Sequence, residues 1–253
     1  MDTRTARAKE MLEEASKILI FTGAGLSTES GIPDFRSPGG IWSKYDPSEF
    51  YFQRFISDAG AREKYWKMST EFYGTMKEAL PNPGHLAIKV LEDRGKLLAI
   101  VTQNIDRLHH KAGNSPEKII ELHGTVFSVS CLSCGKKYDR DEIQRRLESG
   151  EGAPCCDACR GILKTDTISF GQAMPEDKMT AAMKCAEVCD LCIVLGSSLV
   201  VYPAASVPIH ALESGAGLII INRDETPLDS HADIVIRESL SRVLTEMVGL
   251  AVH

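Results

Sequence analysis

The chain has 253 residues, of which 43% are hydrophobic and 25% are charged, and its formal net charge is -6. A chain of this length and composition can bury a full hydrophobic core in one domain or in a large and a small one. An acidic protein has no positive field to hold a phosphate backbone, so we expect no direct binding of nucleic acid.

The N-terminal sequence and the number of cysteines indicate the cellular compartment of the protein. The first eleven residues are charged and have no signal-peptide core, and the longest apolar runs are of strand length, so we expect no export and no membrane span. Eight cysteines without an export signal favour reduced thiols or metal ligands over disulfides. We therefore predict a cytoplasmic protein. The sequence leaves the oligomeric state open and is compatible with a monomer.

Apolar, β-branched runs alternate with amphipathic stretches along most of the chain. The apolar runs, which are typical of buried parallel strands, are 17–22, 97–102, 191–195, 218–222 and 234–236. The stretches with near-helical period are 83–94, 176–189, 203–214 and 240–248. This order predicts an α/β fold built on a Rossmann-like, doubly wound parallel sheet.

Two segments interrupt the alternation. Residues 35–80 are rich in aromatic and charged side chains but contain no strand-like run, whereas residues 126–164 contain five of the eight cysteines. The sequence therefore predicts three parts. They are a Rossmann-like NAD-binding domain of residues 1–34, 81–125 and 165–253, a cofactor loop and helical insertion of residues 35–80, and a small zinc-binding domain of residues 126–164.

A glycine-rich turn follows the first predicted strand directly. The run Thr22-Gly23-Ala-Gly25-Leu-Ser lets the backbone approach a pyrophosphate, and we expect a helix to begin there and to offer its amide donors. An unliganded strand-to-helix turn would have the same pattern. Thr28 stands where a dehydrogenase has its third glycine, and no second strand ends in an acidic residue about 20 positions later. A hydride-transferring dehydrogenase is therefore disfavoured.

Two CxxC pairs, Cys131 with Cys134 and Cys156 with Cys159, are separated by 21 residues. Four thiolates at this spacing can hold one tetrahedral Zn²⁺, and they leave it no open position for water. We therefore predict one structural zinc per chain. Cys155 would form a CxxxC pair with Cys159 and is the less favoured ligand.

A third CxxC pair, Cys189 with Cys192, leads straight into an apolar run. Cys192 is therefore expected to be a small core residue of a buried strand, and Cys185 to lie on the preceding helix.

Polar side chains also follow predicted strands. Gln103, Asn104 and Asp106 come after the run 97–102, at the edge where ligands of open α/β sheets bind. Asp106 alone could equally be a helix N-cap.

His123 ends another apolar run, and a histidine at a ligand-bearing strand end is well suited to be a general base. His109 and His110 are its rivals, although their helical context predicts that they face the helix surface.

Together these motifs resemble the ordered set of the sirtuin family, in its prokaryotic form, and they span nearly the whole chain. In chain order they are Gly23-Ala-Gly-Leu-Ser27, Gly31-Ile-Pro-Asp-Phe-Arg36, Thr102-Gln-Asn-Ile-Asp106, Leu122-His-Gly124, the two CxxC pairs, Ile168-Ser-Phe-Gly171 and Gly196-Ser-Ser-Leu199. The resemblance implies an NAD-dependent protein lysine deacetylase that transfers the acetyl group to ADP-ribose and releases nicotinamide. NAD as co-substrate, a structural zinc and acetylated protein or peptide partners are implied with it.

The resemblance also implies roles for individual residues. His123 would be the general base, and Asn104 would order the ribose and a nearby water, so these two are the expected catalytic residues. Ile105 and Asp106 would hold the carboxamide of the cofactor, and Phe35 would shield the reactive carbon. The expected contacts with NAD are Gly23, Ala24, Gly25, Thr28, Phe35, Arg36, Gln103, Asn104, Ile105, Asp106, His123, Gly196, Ser197, Ser198, Asn222 and Leu240. The expected contacts with the peptide substrate are Ile168, Phe170 and Val201.

Other functions stay open on the sequence alone. A zinc ribbon on a nucleotide-binding core could sense NAD or ADP-ribose without turnover. A zinc-ribbon nucleic-acid binder would depend on the basic residues within 136–146, which lie among acidic ones. An ADP-ribosyltransferase would use the same NAD residues and could be a side activity.

Overall fold

The computed structural model describes residues 2–251. The chain divides into two compact units. Unit 1 comprises the described parts of Met1–Gly31, Leu80–Leu122 and Pro175–His253. Unit 2 comprises Ile32–Ala79 and His123–Met174, and so combines most of residues 35–80 with the cysteine-rich segment. None of the helices in the described part of the chain has the length and apolar content needed to cross a membrane.

The regular elements follow one another in the predicted α/β order. The strands are β1 (Ile18–Thr22), β2 (Leu97–Thr102), β3 (Ile119–Glu121), β4 (Gly124–Cys131), β5 (Lys137–Asp139), β6 (Leu163–Thr167), β7 (Leu191–Leu195), β8 (Gly217–Ile221) and β9 (Ile234–Ile236). The helices are α1 (Thr3–Glu14), α2 (Phe52–Ser57), α3 (Ala59–Glu78), α4 (Pro83–Asp93), α5 (Leu108–Lys111), α6 (Arg140–Glu148), α7 (Glu176–Val188), α8 (Ser206–Glu213) and α9 (Leu240–Val248).

Unit 1 is built on a six-stranded sheet with strand order β3-β2-β1-β7-β8-β9. All neighbouring strands in this sheet are parallel. The five predicted strand runs and the four predicted helical stretches all form, with small shifts at their ends, so the prediction of a Rossmann-like sheet is confirmed. Strand order reverses between β1 and β7, which places the ends of these two strands at the switch point where such sheets bind ligands.

The apolar strands are buried because helices cover the sheet. Every residue of β1 and β7 is buried, which explains why these strands read as continuous apolar runs rather than alternating ones. Helices α4 and α9 pack against each other, and α1 packs against α9. Their apolar stripes join the strands in one core cluster that includes Leu12, Leu91 and Leu244, all fully buried.

The turn after β1 differs from the sequence prediction. We expected a helix to begin there, whereas residues 24–26 and 28–30 form two short 3₁₀ turns. The Thr28 hydroxyl donates to the Gly25 carbonyl at 2.9 Å, and Gly31 adopts a left-handed conformation with φ 83°. A left-handed residue followed by Ile32-Pro33 cannot continue a helix, so the prediction of a helix at this point was wrong.

Unit 2 contains a three-stranded antiparallel sheet with order β5-β4-β6, together with α2, α3 and α6. Its core is a separate apolar cluster rich in aromatic side chains. Phe55 and Trp66 lie in this cluster beside two of the predicted metal ligands, Cys131 and Cys156. Aromatic packing and the cysteine site therefore share one small core.

The turns after β1 and β7 touch through their backbones. Gly25 N donates to the Gly196 carbonyl at 2.9 Å, and Gly23 N donates to Leu195 O at 3.0 Å. A Cβ added to Gly196 would lie 2.5 Å from the backbone nitrogen of Leu26, and Gly196 has φ +61°. The contact therefore requires glycine for both its space and its conformation.

We predict that Gly196→Ala destabilises unit 1 by at least about 3 kcal/mol, because left-handed strain and overpacking add. Gly249→Ala is the matched control, since Gly249 has φ +66° but nothing within 4 Å of its added Cβ. It should lose only about 1 kcal/mol. Urea unfolding of the two variants measures both values, and equal losses would show that the close backbone contact is not what requires glycine.

Candidate active site and zinc centre

The C-terminal ends of β1, β2 and β7 bring predicted site residues together in unit 1. Gln103, directly after β2, donates from its backbone N to Thr22 O at 3.0 Å. Its side-chain Nε2 donates to Ser197 Oγ, after β7, at 2.8 Å. Two predicted NAD contacts from different strands are thus joined at the sheet edge.

A buried polar cluster lies beside the glycine turn. Asn104 Nδ2 donates to Gly23 O and to Ser27 Oγ, both at 3.1 Å, and the Ser27 hydroxyl donates to Asp106 Oδ2 at 2.7 Å. The other carboxylate oxygen of Asp106 accepts from Leu108 N at 2.9 Å, so Asp106 also bonds to the first turn of α5. Asp106 therefore bonds both to Ser27 and to the start of α5, although the N-cap residue of that helix is Arg107 and not Asp106.

Burial controls the charge of this cluster. Asn104 is 8% exposed and Asp106 is 4% exposed. Burial raises the pKa of the Asp106 carboxyl, while the hydrogen bond from Ser27 lowers it. A carboxyl group with a raised pKa keeps its proton to a higher pH than an exposed aspartate does, and its protonated form can donate as well as accept a hydrogen bond.

The remaining predicted contacts of unit 1 lie in different surroundings. Ala24, Gly25, Thr28, Ile105 and Ser198 are partly buried, in the turns after β1, β2 and β7. Asn222 follows β8, and its Nδ2 donates to Asp224 O at 2.8 Å. Leu240 is 7% exposed and belongs to the hydrophobic core, and Val201 lies partly exposed beyond β7.

Two histidines of unit 1 are more deeply buried than their sequence context indicates. His109 was expected on a helix surface, but α5 has only four residues and His109 is 2% exposed, so that prediction was wrong. Its ring lies 5.1 Å from the ring of His85, which is fully buried. Burial lowers the pKa of His85 to about 4 and holds the pKa of His109 well below its ordinary range. His110 is partly exposed.

His123 lies in unit 2, directly before β4, and is partly buried. Its carbonyl accepts from Ile168 N at 2.9 Å, so the predicted base and a predicted peptide contact share a backbone hydrogen bond. The next residue must be glycine, because a Cβ on Gly124 would lie 1.8 Å from Asp166 O. Pairing of β4 with β6 therefore determines where His123 stands relative to the segment that begins at Ile168.

Phe35 belongs to a group of packed aromatic rings in the same unit. The Phe35 ring lies 5.6 Å from the Trp42 ring, and the Phe170 ring lies 6.1 Å from the Trp42 ring. Asp34 Oδ1 accepts from Arg36 N at 2.9 Å, while the Arg36 residue itself is exposed. Phe170 is 37% exposed and also packs against Tyr51, which is 48% exposed, so this side of the aromatic group faces solvent.

The four predicted zinc ligands converge in unit 2. The sulfur atoms of Cys131, Cys134, Cys156 and Cys159 all lie within 4.8 Å of one another. The Cys131–Cys159 and Cys134–Cys156 sulfur separations are 3.5 and 3.7 Å. Tetrahedral Zn²⁺ with Zn–S bonds of about 2.3 Å requires sulfurs about 3.8 Å apart, so the residues fit a structural zinc.

Tyr138, Asp157 and Lys136 surround the second CxxC pair and orient it. Tyr138 Oη lies 3.1 Å from Cys156 Sγ, and Asp157 N donates to Tyr138 Oη at 3.1 Å. Lys136 Nζ donates to both carboxylate oxygens of Asp157 at 2.7 and 2.8 Å. Such outer partners hold the thiolates in place.

The other cysteines lie away from this centre. Cys155 is not one of the four clustered ligands; its sulfur lies 3.9 Å from Ala153 O. Cys192 is fully buried in β7 and Cys185 lies in α7, as the sequence predicted.

Comparison with known proteins agrees with these features. Residues 23–203 match the model of the Sir2 family. The chain belongs to the Sir2 family. A relative from Bradyrhizobium diazoefficiens, NAD-dependent protein deacetylase 1, is 46% identical over 96% of this chain and 94% of its own length. The NAD-dependent protein deacetylase of Thermotoga maritima is 41% identical over 89% of each chain.

Solved structures of this family agree as closely with the fold. A Sir2 structure with a deacetylated p53 peptide and 3'-O-acetyl ADP ribose is 37% identical, covers 98% of this chain and 100% of its own, and has a TM-score of 0.91. A Sir2 structure with a p53 peptide and NAD is 36% identical, covers 99% of this chain and 100% of its own, and has a TM-score of 0.89.

Sequence reasoning missed several residues of the polar cluster. Ser27 was recognised only as part of a motif, yet it bonds to both Asn104 and Asp106. Thr22 and Thr102 were read as strand ends, yet their hydroxyls meet at 2.7 Å. The available signal was that the apolar runs 17–22 and 97–102 both end in threonine, a strand-favouring residue that also carries a hydroxyl.

We predict that purified protein contains one zinc per chain and that Cys156→Ala loses it, because three thiolates cannot complete the tetrahedron. Unfolding of unit 2 should then lose its cooperativity. Cys155→Ala, one position away, is the matched control and should keep the metal. Metal analysis by mass spectrometry decides this, and zinc lost from Cys155→Ala but kept by Cys156→Ala would reverse the ligand assignment.

We predict that His85 makes the fold less stable in mild acid. The unfolded chain takes up a proton near pH 6.5, whereas folded His85 does so only near pH 4, so stability falls as pH drops through this window. By pH 5 the loss amounts to about 2 kcal/mol. We therefore compare the free energy of unfolding at pH 7.5 with that at pH 5. The loss of stability between these two pH values should be smaller in His85→Gln than in wild type, by this amount. Parallel pH dependences would contradict the burial of a neutral His85.

Proposed function

We propose that this protein is an NAD-dependent protein lysine deacetylase, a transferase that moves the acetyl group of a lysine side chain to ADP-ribose. Acetyl-lysine, NAD and water give lysine, nicotinamide and O-acetyl-ADP-ribose. The observation that carries the proposal is the buried cluster of Ser27, Asn104 and Asp106 on the backbone of the glycine turn. Relatives named NAD-dependent protein deacetylase match nearly the full chain.

We propose that the NAD phosphates bind beside the glycine turn. Glycine at positions 23 and 25 makes room for the backbone of Gly196, since an added Cβ at either position would lie within 3 Å of it, and the two joined turns stand at the strand ends where such sheets bind ligands. Gln103 and Ser197, joined by a hydrogen bond, would contact the nucleotide at the same edge. We propose the same role for Ala24, Thr28, Ser198 and Asn222, and in unit 2 for Phe35 and Arg36.

The buried cluster has the chemistry to hold nicotinamide and its ribose. Asn104 donates both of its amide hydrogens to Gly23 O and Ser27 Oγ, so its Oδ1 would accept from a sugar hydroxyl, and the Asp106 carboxyl with its raised pKa would bind the carboxamide. Ile105, between them in the chain, would exclude water from the bond that breaks. NAD supplies the activated glycosidic carbon, and these side chains orient it and keep it dry.

His123 is proposed as the general base for a ribose hydroxyl. Its place before β4 is determined by the required glycine at 124 and by the hydrogen bond from Ile168. A base held on such a frame contributes about 10²- to 10⁴-fold to rate. The zinc would support unit 2 and take no part in the reaction, because four thiolates leave it no open site.

Acetylated proteins or peptides are the proposed partners. Ile168 and Phe170 in unit 2, and Val201 in unit 1, would contact the peptide. Phe170 is 37% exposed although it belongs to an aromatic cluster, which suits a surface that a peptide covers. Main-chain hydrogen bonding by an added strand would make the choice of peptide broad.

We also propose the domain assignment and the cellular location expected from the sequence. Residues 1–34, 81–125 and 165–253 would be the NAD-binding domain, 35–80 the cofactor loop and helical insertion, and 126–164 the zinc domain. This division assigns 123–125 and 165–174 to the NAD-binding domain, although by their contacts they belong to unit 2. A cytoplasmic location is supported by the eight cysteines, all of which lie in the described chain and are unbridged.

We predict that His123→Ala lowers deacetylation at least 100-fold while NAD binding and the fold are kept, because a general base acts on the transition state. His110→Ala is the control and should stay within a few-fold of wild type. Nicotinamide release with an acetyl-lysine peptide measures activity, and calorimetric titration measures NAD binding.

Two outcomes would contradict the proposal in different ways. His123→Ala activity within tenfold of wild type would remove the base assignment. Wild-type protein that binds NAD but releases no nicotinamide, with any acetylated peptide tested, would instead make the chain an NAD sensor.

A further inference from the structure

In unit 1, the buried residues Thr22, Thr102 and His109 form a chain of hydrogen bonds at the ends of β1 and β2, next to Asn104. Thr22 and Thr102 end neighbouring parallel strands and lie opposite each other in the register. The Thr22 hydroxyl donates to Thr102 Oγ1 at 2.7 Å, and His109 Nε2 lies 3.2 Å from Thr22 Oγ1. All three residues are at most 2% exposed.

This chain of hydrogen bonds reaches the backbone of Asn104. Asn104 N donates to Thr102 Oγ1 at 3.0 Å. Because Thr22 gives its hydroxyl proton to Thr102, Thr22 Oγ1 is left to accept, and His109 must then carry a proton on Nε2. The order of donors thus determines one neutral tautomer of His109.

The rings behind this chain suit the same tautomer. His85 Nδ1 accepts from Asn82 N at 3.4 Å, so the proton of neutral His85 is on Nε2. His85 Nε2 and His109 Nδ1 have no hydrogen-bond partner among the described residues, and the two ring centres are 5.1 Å apart. His85 therefore has a donor on Nε2, and His109 has an acceptor on Nδ1.

We propose that Thr22 and His109 are positioning residues for the deacetylation reaction, which hold the backbone of Asn104 through the Thr102 hydroxyl. The inference rests on the proposed function, in which Asn104 orders the ribose. Neither residue needs to touch NAD or peptide for this role.

The geometry explains why the Asn104 loop needs this support. The side chain of Asn104 bonds to Gly23 O and Ser27 Oγ, while its backbone N has the Thr102 hydroxyl as partner. Without the Thr22 hydroxyl, Thr102 loses the bond that orients it, and His109 Nε2 loses its acceptor inside a dry core. A misplacement of about 1 Å at a site of this kind can cost roughly 10²-fold in rate.

Thr22→Val tests the role with almost no change of shape. It should lower kcat for nicotinamide release about 10- to 100-fold, while the KM for the acetylated peptide stays within a factor of about two. Thr22→Ser, which keeps the hydroxyl, should restore most of kcat. Thr245→Val is the control, since Thr245 is also buried but donates only to Ser241 O and Arg242 O near its own helix turn. It should leave kcat unchanged.

A double-mutant cycle separates positioning from general destabilisation. Thr22→Val and His109→Phe act through the same hydrogen-bond chain, so the double variant should be no slower than the slower single variant. If His109→Phe does not fold, Thr102→Val takes its place in the cycle. ¹⁵N shifts of the His109 ring should show a protonated Nε2 in wild type, independently of turnover.

The outcomes are distinct. An active wild type whose Thr22→Val keeps full kcat, or a cycle in which the losses simply multiply, would overturn the positioning role. A His109 ring protonated on Nδ1 instead of Nε2 would overturn the hydrogen-bond chain itself. A wild type that releases no nicotinamide would overturn the proposed function, and with it any role in that reaction, while the ring shifts would still decide whether the chain exists.

Discussion

The backbone contact between the turns after β1 and β7 is the constraint on which the rest of unit 1 depends. Gly25 N reaches Gly196 O at 2.9 Å, and an added Cβ at either residue would lie within 3 Å of the other turn. This approach holds the carbonyl of Gly23 and the hydroxyl of Ser27 where Asn104 can reach both. A Cβ at Gly25 or Gly196 would push the two turns apart. The polar cluster of Ser27, Asn104 and Asp106 therefore depends on glycine at these two positions.

Burial also shifts the pKa values of three titratable groups in unit 1, which are Asp106, His85 and His109. Desolvation raises the pKa of Asp106 and lowers the pKa values of His85 and His109, so an acid is pushed toward its neutral form and two bases are kept neutral. Neutral groups of this kind can form ordered hydrogen-bond chains without an unpaired charge in the core. Thr22 supplies the link between the histidine and the strand ends. The structure thus combines a dry interior with donors and acceptors of defined direction.

Unit 2 has a small apolar core of its own, to which the metal site contributes. Cys131 and Cys156 lie in the same apolar cluster as Phe55 and Trp66, so two of the four metal ligands are also core residues. Binding of zinc and packing of the aromatic rings therefore stabilise each other, which is typical of domains that are too small for an apolar core alone. The positions of His123 and of the segment that begins at Ile168 depend on this unit through the pairing of β4 with β6.

The sequence by itself determined the order of strands and helices, the four cysteines and the motifs of the family, because periodicity and short spacings are local properties. It predicted Asn104 and Asp106 from their place after a strand, but not that Ser27, 79 residues from Asp106, bonds to both. It also placed His109 on a surface and a helix after β1, and both were wrong. Only the tertiary structure decided these points, since strand register and backbone approach bring together residues that are distant in the chain, and burial follows from that packing.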